Sequence, residues 1–277
     1  MQKLLLFSLF ISVILLPVQA QTYPKAPGTI RLLTYNTHYC KGGGDPGELK
    51  DEYITNLARV IRALDPDVIA LQELDSAARS RGKRYLLHEI AQRTGLEYTD
   101  VYGNAAHFDK GSIGCGALIK KDLPILSRYI AYLPGDEGRA AVEVELDKFV
   151  FIATHSDLHN EKRRQGMKII CNDVHKMDKP VFVAGDLNDS FRWEEQYSSF
   201  PVLLNDFVIA SDTIGSSVTN RTDGKGLIDF VLLSKKHQKK IKIVDTHIIR
   251  EMEIDGEKVD MKTVSDHYPV FVDIYCK

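Results

Sequence analysis

The chain has 277 residues, 44% of them hydrophobic and 27% charged, so it can bury the core of one large domain or of two small ones. Its formal net charge of −2 argues against a strongly basic nucleic-acid coat but leaves a local basic groove open. The four cysteines form no CxxC pair and no zinc-binding spacing. Cys115 and Cys171 lie in apolar surroundings and are predicted to be buried thiols.

The first twenty residues are typical of a secretory signal peptide. Lys3 gives a basic start, Leu4–Leu16 is almost wholly apolar, and Pro17 ends that run ahead of small residues. The run is shorter than the roughly 20 residues that a membrane-spanning helix needs, and no later stretch is long and apolar enough to span. We therefore expect cleavage after Ala20 and a secreted or periplasmic protein without an integral membrane segment. Residues 21–29 are predicted to form an exposed N-terminal arm, and residues 30–277 a single domain.

Two predicted strands in the first third of the chain are followed by polar residues. Ile30–Tyr35 is rich in β-formers and is followed by Asn36. Residues 54–64 then place apolar side chains on one helical face, and Val68–Leu71 reads as a short buried strand followed by Gln72 and Glu73. Because each strand ends on a polar side chain, Asn36 and Glu73 become candidates for a shared site.

A basic cluster at positions 79–84 comes directly after Glu73. It reads either as a solvated loop or as a phosphate clamp beside the site, and both interpretations stay open. Within this cluster, Arg81 is the candidate substrate contact. His38, judged by itself, reads as a surface or packed histidine.

The second half of the chain repeats the pattern of strands with polar ends. Phe149–Thr154 is followed by His155, and Val181–Gly185 is followed by Asp186 and Asn188. An Asx-rich turn would also explain the second of these, since Asp and Asn are ordinary turn residues. The case for chemistry therefore depends on how many strands end in this way.

Two further segments place an acidic residue within or next to an apolar run. Asp229 interrupts the apolar run 226–233, and a buried carboxylate needs a partner. Asp266 and His267 stand just before the last predicted strand, Val270–Tyr275. The aromatic start of the irregular segment 191–220 reads as loop packing or as a lid over substrate.

The residue types favour metal-assisted hydrolysis. Several carboxylates with amides, and no cluster of cysteines or histidines, favour Mg²⁺ or Mn²⁺ over zinc. A histidine with a separate acid available to orient it is the arrangement of a general base. Nucleophilic serine chemistry is less well supported, because no Gly-x-Ser-x-Gly motif is present.

Six short motifs together resemble the endonuclease/exonuclease/phosphatase superfamily, in its order, from about Ile30 to the C-terminus. They are Thr34-Tyr35-Asn36, Leu71-Gln72-Glu73, Thr154-His155, Gly185-Asp186-Leu187-Asn188, Ile228-Asp229-Phe230 and Ser265-Asp266-His267-Tyr268-Pro269. The resemblance implies an α/β (α+β) fold, a four-layer α-β-β-α sandwich of two mostly antiparallel sheets with the site at one end. It also implies a Mg²⁺- or Mn²⁺-dependent phosphoric ester hydrolase.

The resemblance assigns roles to these positions. Glu73 would be the main metal ligand, with Asn36 and Asp266 close by. Asp186 and Asn188 would position the attacking water and the phosphate.

The histidines of the motifs receive roles in the same way. His267 would contact the phosphate or act as the base, paired with Asp229. His155 would stabilise the phosphate or the leaving oxygen. Some nuclease branches have an acidic residue at position 38, so His38 argues against a metal ligand there and against a DNA-repair role; it is kept with Arg81 as a candidate substrate contact.

The sequence thus predicts a secreted, monomeric, metal-dependent phosphoesterase, with a phosphodiester as the first expectation. Extracellular nucleic acid, a phospholipid head group and a small phosphorylated metabolite are the candidate substrates. The alternative is a non-catalytic protein that binds a phosphate ligand on the same scaffold, because a fold alone does not establish activity.

Overall fold

The computed structural model describes residues 22–44 and 47–277, and the predicted signal peptide lies outside the described residues. The helices of the described chain are α1 (Asp51–Leu64), α2 (Leu86–Thr94), α3 (Asn160–Val174), α4 (Phe200–Asp206) and α5 (Met261–Val264). Its strands are β1 (Ile30–Asn36), β2 (Val68–Ser76), β3 (Tyr98–Phe108), β4 (Gly111–Lys120), β5 (Ile125–Leu133), β6 (Arg139–Leu146), β7 (Val150–His155), β8 (Val181–Asp186), β9 (Phe207–Ile209), β10 (Asp229–Ser234), β11 (Ile241–Ile248), β12 (Met252–Ile254), β13 (Glu257–Val259) and β14 (Val270–Cys276).

Most of the described strands belong to two six-stranded sheets. The first has the order β11-β14-β1-β2-β4-β3 and the second β5-β6-β7-β8-β10-β9. In the part of the chain that the structure describes, only β1–β2 and β7–β8 pair in parallel within these sheets. A separate hairpin of β12 and β13 turns at Asp255 and Gly256. Two mostly antiparallel sheets are therefore confirmed.

The two sheets are buried on both faces, which explains their apolar strands. Leu32 and Val142 belong to the apolar cluster between the sheets. Leu33, the next residue of β1, belongs to the outer cluster, which also contains Ile54 of α1 and Met167 of α3. Because successive side chains of a strand point to opposite faces, one strand serves both layers. The predicted four-layer α-β-β-α sandwich is confirmed.

The topology brings the polar strand ends together at one end of this sandwich. Asn36 at the end of β1 stands opposite Gln72 of β2, and His155 at the end of β7 stands opposite Asp186 of β8. Asp186 also stands opposite Asp229 of β10. Along the chain, helix α1 connects β1 to β2, and helix α3 connects β7 to β8. Because each of these strand pairs is parallel, the carboxyl ends of its two strands lie at the same edge of the sheet.

Strand β2 differs from its sequence prediction. It continues to Ser76, and the pairing register with β4 shifts between Leu71 and Leu74. Glu73 lies within this bulge, and its φ of 54° is left-handed. A bulge bends a strand and turns a side chain away from the regular alternation. Glu73 therefore leaves the sheet in the middle of a strand, not at its end.

Two further segments contain regular structure. Strands β3 and β4 pair as far as Phe108 and Gly111, so the stretch between residues 104 and 114 is the tip of a hairpin. The irregular segment 191–220 contains α4 and β9. Phe191 and Phe200 pack edge-on against each other and against Phe230 of the core, which favours loop packing over a lid.

The described part of the N-terminal arm lies against the domain and is not a free arm. Lys25 Nζ is 2.8 Å from Asp67 Oδ1, and the carbonyl of Tyr23 accepts a hydrogen bond of 2.9 Å from Arg31. Among the residues described, no helix combines the length and the hydropathy required to cross a membrane. The four cysteines are free thiols, and Cys115 and Cys171 are buried as predicted.

Candidate active site

Asn36 connects the two sheets at the polar end of the sandwich. Its Nδ2 donates hydrogen bonds to Glu73 Oε1 at 3.0 Å and to Asp186 Oδ2 at 3.1 Å. Its Oδ1 accepts the backbone N–H of His38 at 3.0 Å. The carboxylate on β2 and the carboxylate on β8 are therefore held by one buried amide.

Asp186 and Asn188 form a turn directly after β8. The backbone N–H of Asn188 donates to Asp186 Oδ1 at 2.8 Å, and the φ of Asn188 is 47°. The Asx turn considered from the sequence is therefore present, and its residues also line the cleft. Burial, followed by the charge of Asp229, raises the pKa of Asp186 to about 7.

His267 and Asp229 form a buried hydrogen-bonded pair. His267 Nδ1 lies 2.8 Å from Asp229 Oδ2, and Ser217 Oγ donates to the same carboxylate oxygen at 2.6 Å. His267 Nε2 is 3.8 Å from Asp186 Oδ2. Burial lowers the pKa of His267, but the carboxylates of Asp229 and Asp186 outweigh it and raise the pKa to about 10. The partner required for a buried Asp229 is thus the histidine.

His155, at the end of β7, lies beside Asp186. Its Nε2 is 3.5 Å from Asp186 Oδ2 and 3.1 Å from Asn188 Nδ2, and its Nδ1 is 3.2 Å from Arg139 Nη1. Burial and the positive charge of Arg139 hold the pKa of His155 well below its usual range. Two histidines of one site therefore differ in charge, His267 cationic and His155 neutral.

Asp266 and His38 stand at the edge of this group. His38 Nδ1 is 2.7 Å from the carbonyl oxygen of Gly42 and 3.9 Å from Asp266 Oδ1. The side chain of Asp266 is 36% exposed, which leaves its carboxylate open to a ligand. His38 belongs to a run of left-handed residues, with φ values of 49°, 50° and 54° for His38, Tyr39 and Cys40.

The arginines of the basic cluster at positions 79–84 lie in different surroundings. Arg81 lines the cleft, its Nη1 2.9 Å from the buried Asp75 Oδ1 and its guanidinium over the rings of Tyr39 and Phe108 at 4.1 and 4.7 Å. Arg84 instead pairs with Glu89 and Asp51 on the helices. Arg81 is therefore the member of the cluster placed to meet a substrate.

These side chains surround one cleft of about 740 Å³. Its lining includes Glu73, His155, Asp186, Asn188, His267 and Arg81 from the sequence prediction. It also includes Tyr39, Phe108, Asp136, Glu137, Arg139 and the exposed Leu158. Asn36 and Asp229 lie behind this surface and hold the lining residues, while Asp266 and His38 are not part of the lining.

Several residues that support the site were missed from the sequence. Arg139, Tyr39 and Ser217 carry no motif, and each reaches the site through a contact between segments distant in sequence. Asp229 was recognised because a charge within an apolar run is conspicuous. The corresponding sequence signal for Arg139 is a charged residue directly before the apolar residues Ala140–Val142. The structure shows that Arg139 is buried.

The oxygen donors of the site suit a hard divalent cation. Burial and the nearby charge of Asp266 raise the pKa of Glu73, while the Asn36 amide and the charges of His267 and His38 act in the opposite direction. Asn36 presents Nδ2 to Glu73 in this structure, so the amide must turn over before its oxygen can bind a metal. A second group, Asp186, Asp229 and His267, offers ligand atoms within 4.8 Å of one another, but its histidine and Asp229 are already bonded to each other.

A model of the Endonuclease/Exonuclease/phosphatase family matches residues 33–267. Among curated proteins, none matches the chain significantly. An endonuclease/exonuclease/phosphatase from Beutenbergia cavernae DSM 12333 aligns over 90% of this chain and 72% of its own, at 18% identity and a TM-score of 0.68.

Two further solved structures carry more specific descriptions. A mannosyl-6-phosphatase of Bacteroides thetaiotaomicron VPI-5482 aligns over 89% of this chain and 99% of its own, at 16% identity and a TM-score of 0.65. The catalytic domain of human nocturnin, solved with a bound sulfate anion, aligns over 90% and 94%, at 17% identity and a TM-score of 0.63. At these identities the likeness shows a shared fold.

Proposed function

The chain belongs to the endonuclease/exonuclease/phosphatase family, and from that premise we propose that it is a Mg²⁺- or Mn²⁺-dependent phosphoesterase acting on a small phosphoester. The observation that carries the proposal is the convergence of Glu73, Asp186, Asn188 and the His267–Asp229 pair on one cleft. A phosphodiester remains the first expectation for the substrate. Export through the segment 1–20 is part of the same proposal.

The residues of this chain divide the work of hydrolysis. His267, kept cationic by Asp229, binds a phosphoryl oxygen through Nε2. Asp186, fixed by Asn36 and by the N–H of Asn188, accepts the proton of the attacking water. Asn188 and His155 contact the phosphoryl group from the side of β7.

Glu73 and Asp266 would hold the cation, and Asn36 would join them once its amide turned over. When bound, Mg²⁺ or Mn²⁺ supplies a Lewis acid for a phosphoryl oxygen. In the structure as it stands, the Asn36 amide holds the carboxylates of Glu73 and Asp186 in separate fixed positions. Metal binding and water activation therefore use different carboxylates.

The character of the cleft supports a small substrate over long nucleic acid. Two arginines in its lining, Arg81 and Arg139, stand against acidic residues at the floor and rim, including Glu73 and Glu137. A duplex or strand binds through a continuous basic track, which this lining does not offer. The cleft volume of about 740 Å³ lies within the range of small-molecule sites. A solved structure with the same fold is described as a mannosyl-6-phosphatase, which supports the proposal.

The test is hydrolysis of bis(p-nitrophenyl) phosphate beside p-nitrophenyl phosphate by the purified mature chain. Reactions with EDTA, Mg²⁺ or Mn²⁺ are run in parallel, with His267→Ala as the control variant. We expect metal-dependent turnover that His267→Ala loses, and the better substrate separates a diesterase from a monoesterase. Absence of turnover on both, and on DNA, RNA and sphingomyelin, would favour the non-catalytic phosphate-binding alternative.

A further inference from the structure

His155 has a hydrogen-bond donor beside each nitrogen of its ring. Arg139 Nη1 lies 3.2 Å from Nδ1, and Asn188 Nδ2 lies 3.1 Å from Nε2. A neutral imidazole has one accepting nitrogen, and an imidazolium has none. The ring can therefore accept from only one of these two donors, and the other contact must bring two N–H groups together.

Arg139 is the buried and charged donor of the two. Its side chain is 8% exposed, and its Nε lies 3.5 Å from Oδ2 of the buried Asp157. Asp157 is fixed in turn by the backbone N–H groups of Asp136 at 3.0 Å and His159 at 2.9 Å. A guanidinium has no acceptor and stays protonated, and its charged N–H is the stronger of the two donors, so we assign Nδ1 of His155 as the accepting nitrogen. The proton of the neutral ring then lies on Nε2.

We propose that Arg139 is a positioning residue that fixes His155 as the neutral tautomer protonated at Nε2, so that His155 and Asn188 together present two N–H donors to one phosphoryl oxygen. The role in turnover rests on the proposed phosphoesterase function, whereas the tautomer does not.

With Nε2 protonated, the contact that brings two N–H groups together is the one between His155 and Asn188. Asn188 uses one hydrogen of Nδ2 on the carbonyl of Ser156 at 3.0 Å, which leaves the other directed to the His155 side. Asp186 Oδ2, at 3.5 Å from Nε2, is at the limit of hydrogen-bond range. Among the described residues, the N–H groups of His155 and Asn188 therefore have no close acceptor in common. A phosphoryl oxygen of the substrate would supply that acceptor. A neutral donor stabilises negative charge there without giving up its proton.

Gly135 provides a second way to disturb Arg139. A Cβ at this position would lie 2.6 Å from Arg139 Cγ and 3.0 Å from Asp157 Oδ2. Gly135→Ala therefore displaces the guanidinium while keeping its charge, whereas Arg139→Met removes the donor altogether.

The direct test is the tautomer of His155, measured by long-range ¹H–¹⁵N correlation on the full chain labelled with ¹⁵N-histidine. The His155 signals are identified by their loss in His155→Gln. We expect protonation at Nε2 in the wild type, and a shift towards protonation at Nδ1 in Arg139→Met, because Asn188 is then the remaining donor. In the assay above, kcat of Arg139→Met should fall by about 100-fold with little change in KM, comparable to losing one oxyanion donor. Arg139→Lys, which retains a cationic donor, should keep the tautomer and recover most of kcat.

Protonation at Nδ1 in the wild type would overturn the proposal. So would an unchanged tautomer in an Arg139→Met variant whose circular dichroism matches the wild type. If Arg139→Met does not fold, Gly135→Ala takes its place, and an unaltered tautomer preference there would count equally against the proposal. Because the spectrum needs no turnover, a wild type with the expected tautomer but no phosphoesterase activity would refute the proposed function and leave the tautomer assignment standing.

Discussion

Strained backbone coincides with the chemistry at the scale of single residues. Glu73, Asn188 and His38 all have left-handed φ values, of 54°, 47° and 49°. Such a conformation costs a non-glycine residue on the order of 1–3 kcal/mol. The surrounding sheet and turn hydrogen bonds maintain it, and at Glu73 it takes the side chain out of the regular alternation of β2.

The first prediction concerns Glu73 as a metal ligand. Glu73→Gln keeps the shape of the side chain and removes its charge, so Mg²⁺ or Mn²⁺ affinity should fall by about 10-fold or more, as measured by titration calorimetry. Glu137→Gln, at the rim of the same cleft, is the matched control and should bind metal as the wild type does. Equal affinity in Glu73→Gln and wild type would remove Glu73 from the ligand set.

A second residue-scale prediction concerns Glu143 of β6, which is remote from the catalytic group. Burial, with a smaller contribution from Asp173, raises its pKa from 4.5 to about 7. The folded state therefore binds this proton more tightly than the unfolded chain, and the free energy of unfolding should fall as pH rises from 4.5 to 7.

Glu143→Gln should remove that pH dependence and be more stable than wild type above this window by on the order of 1 kcal/mol. Urea denaturation at pH 4.5 and at pH 8 measures both effects. Glu145→Gln is the control on the same strand: hydrogen bonds from Lys179 and Ser127 lower the pKa of Glu145, so this variant should not gain stability. A Glu143→Gln variant less stable than wild type at pH 8 would contradict the assignment.

At the scale of elements, helix α3 holds the turn that carries Asn188. Arg163 of α3 is 3% exposed and donates from Nε to Asp189 Oδ2 at 3.1 Å. Its other nitrogens reach the carbonyls of Leu158 at 2.8 Å and Tyr197 at 2.6 Å. The crossover helix between β7 and β8 thus fixes the segments that follow both strands.

Arg163→Met should destabilise the domain by about 3–5 kcal/mol, because it leaves the buried carboxylate of Asp189 without its cation. Urea denaturation measures this loss. Arg164→Met, one position along the same helix and partly exposed, removes only bonds to backbone carbonyls and should cost less than about 1 kcal/mol. Equal losses in the two variants would mean that the buried pair has no special role in stability.

At the scale of the whole molecule, the distance between the two sheets decides whether the site exists. Glu73 and Asn36 belong to the first sheet, while Asp186, His155 and Asp229 belong to the second. The sheets approach closely at Gly103 of β3, where a Cβ would lie 2.3 Å from Val142 Cγ2 of β6. Since valine is stiff about χ1, this contact cannot be relieved by a simple rotation.

Gly103→Ala should therefore lower the free energy of unfolding by about 1–3 kcal/mol through overpacking. Val142→Ala removes the opposing methyl group, and the double variant should lose at least about 1 kcal/mol less than the sum of the single variants. Urea midpoints of the four proteins complete the cycle. Additivity within about 0.5 kcal/mol would show that the two residues do not restrain the sheet spacing.

The sequence by itself determined many of the strands and the layers of the fold, and it predicted six of the residues that line the cleft. Apolar runs such as Val181–Gly185 can only be buried on both faces, and a charge such as Asp229 within a run can only be tolerated with a partner. These are local constraints, so they can be read residue by residue, and the six motifs placed them in a known order.

Tertiary structure alone decided the partners and the protonation states. The bulge that turns Glu73 out of β2 depends on how β2 pairs with β4, and the neutral state of His155 depends on its burial and on Arg139 of the neighbouring strand. Arg81 was separated from Arg84 by contacts with Asp75, Tyr39 and Phe108 that no local pattern announces. Hydrogen bonds and charge interactions act across space and not along the chain, which is why residue types were predictable from the sequence and their geometry was not.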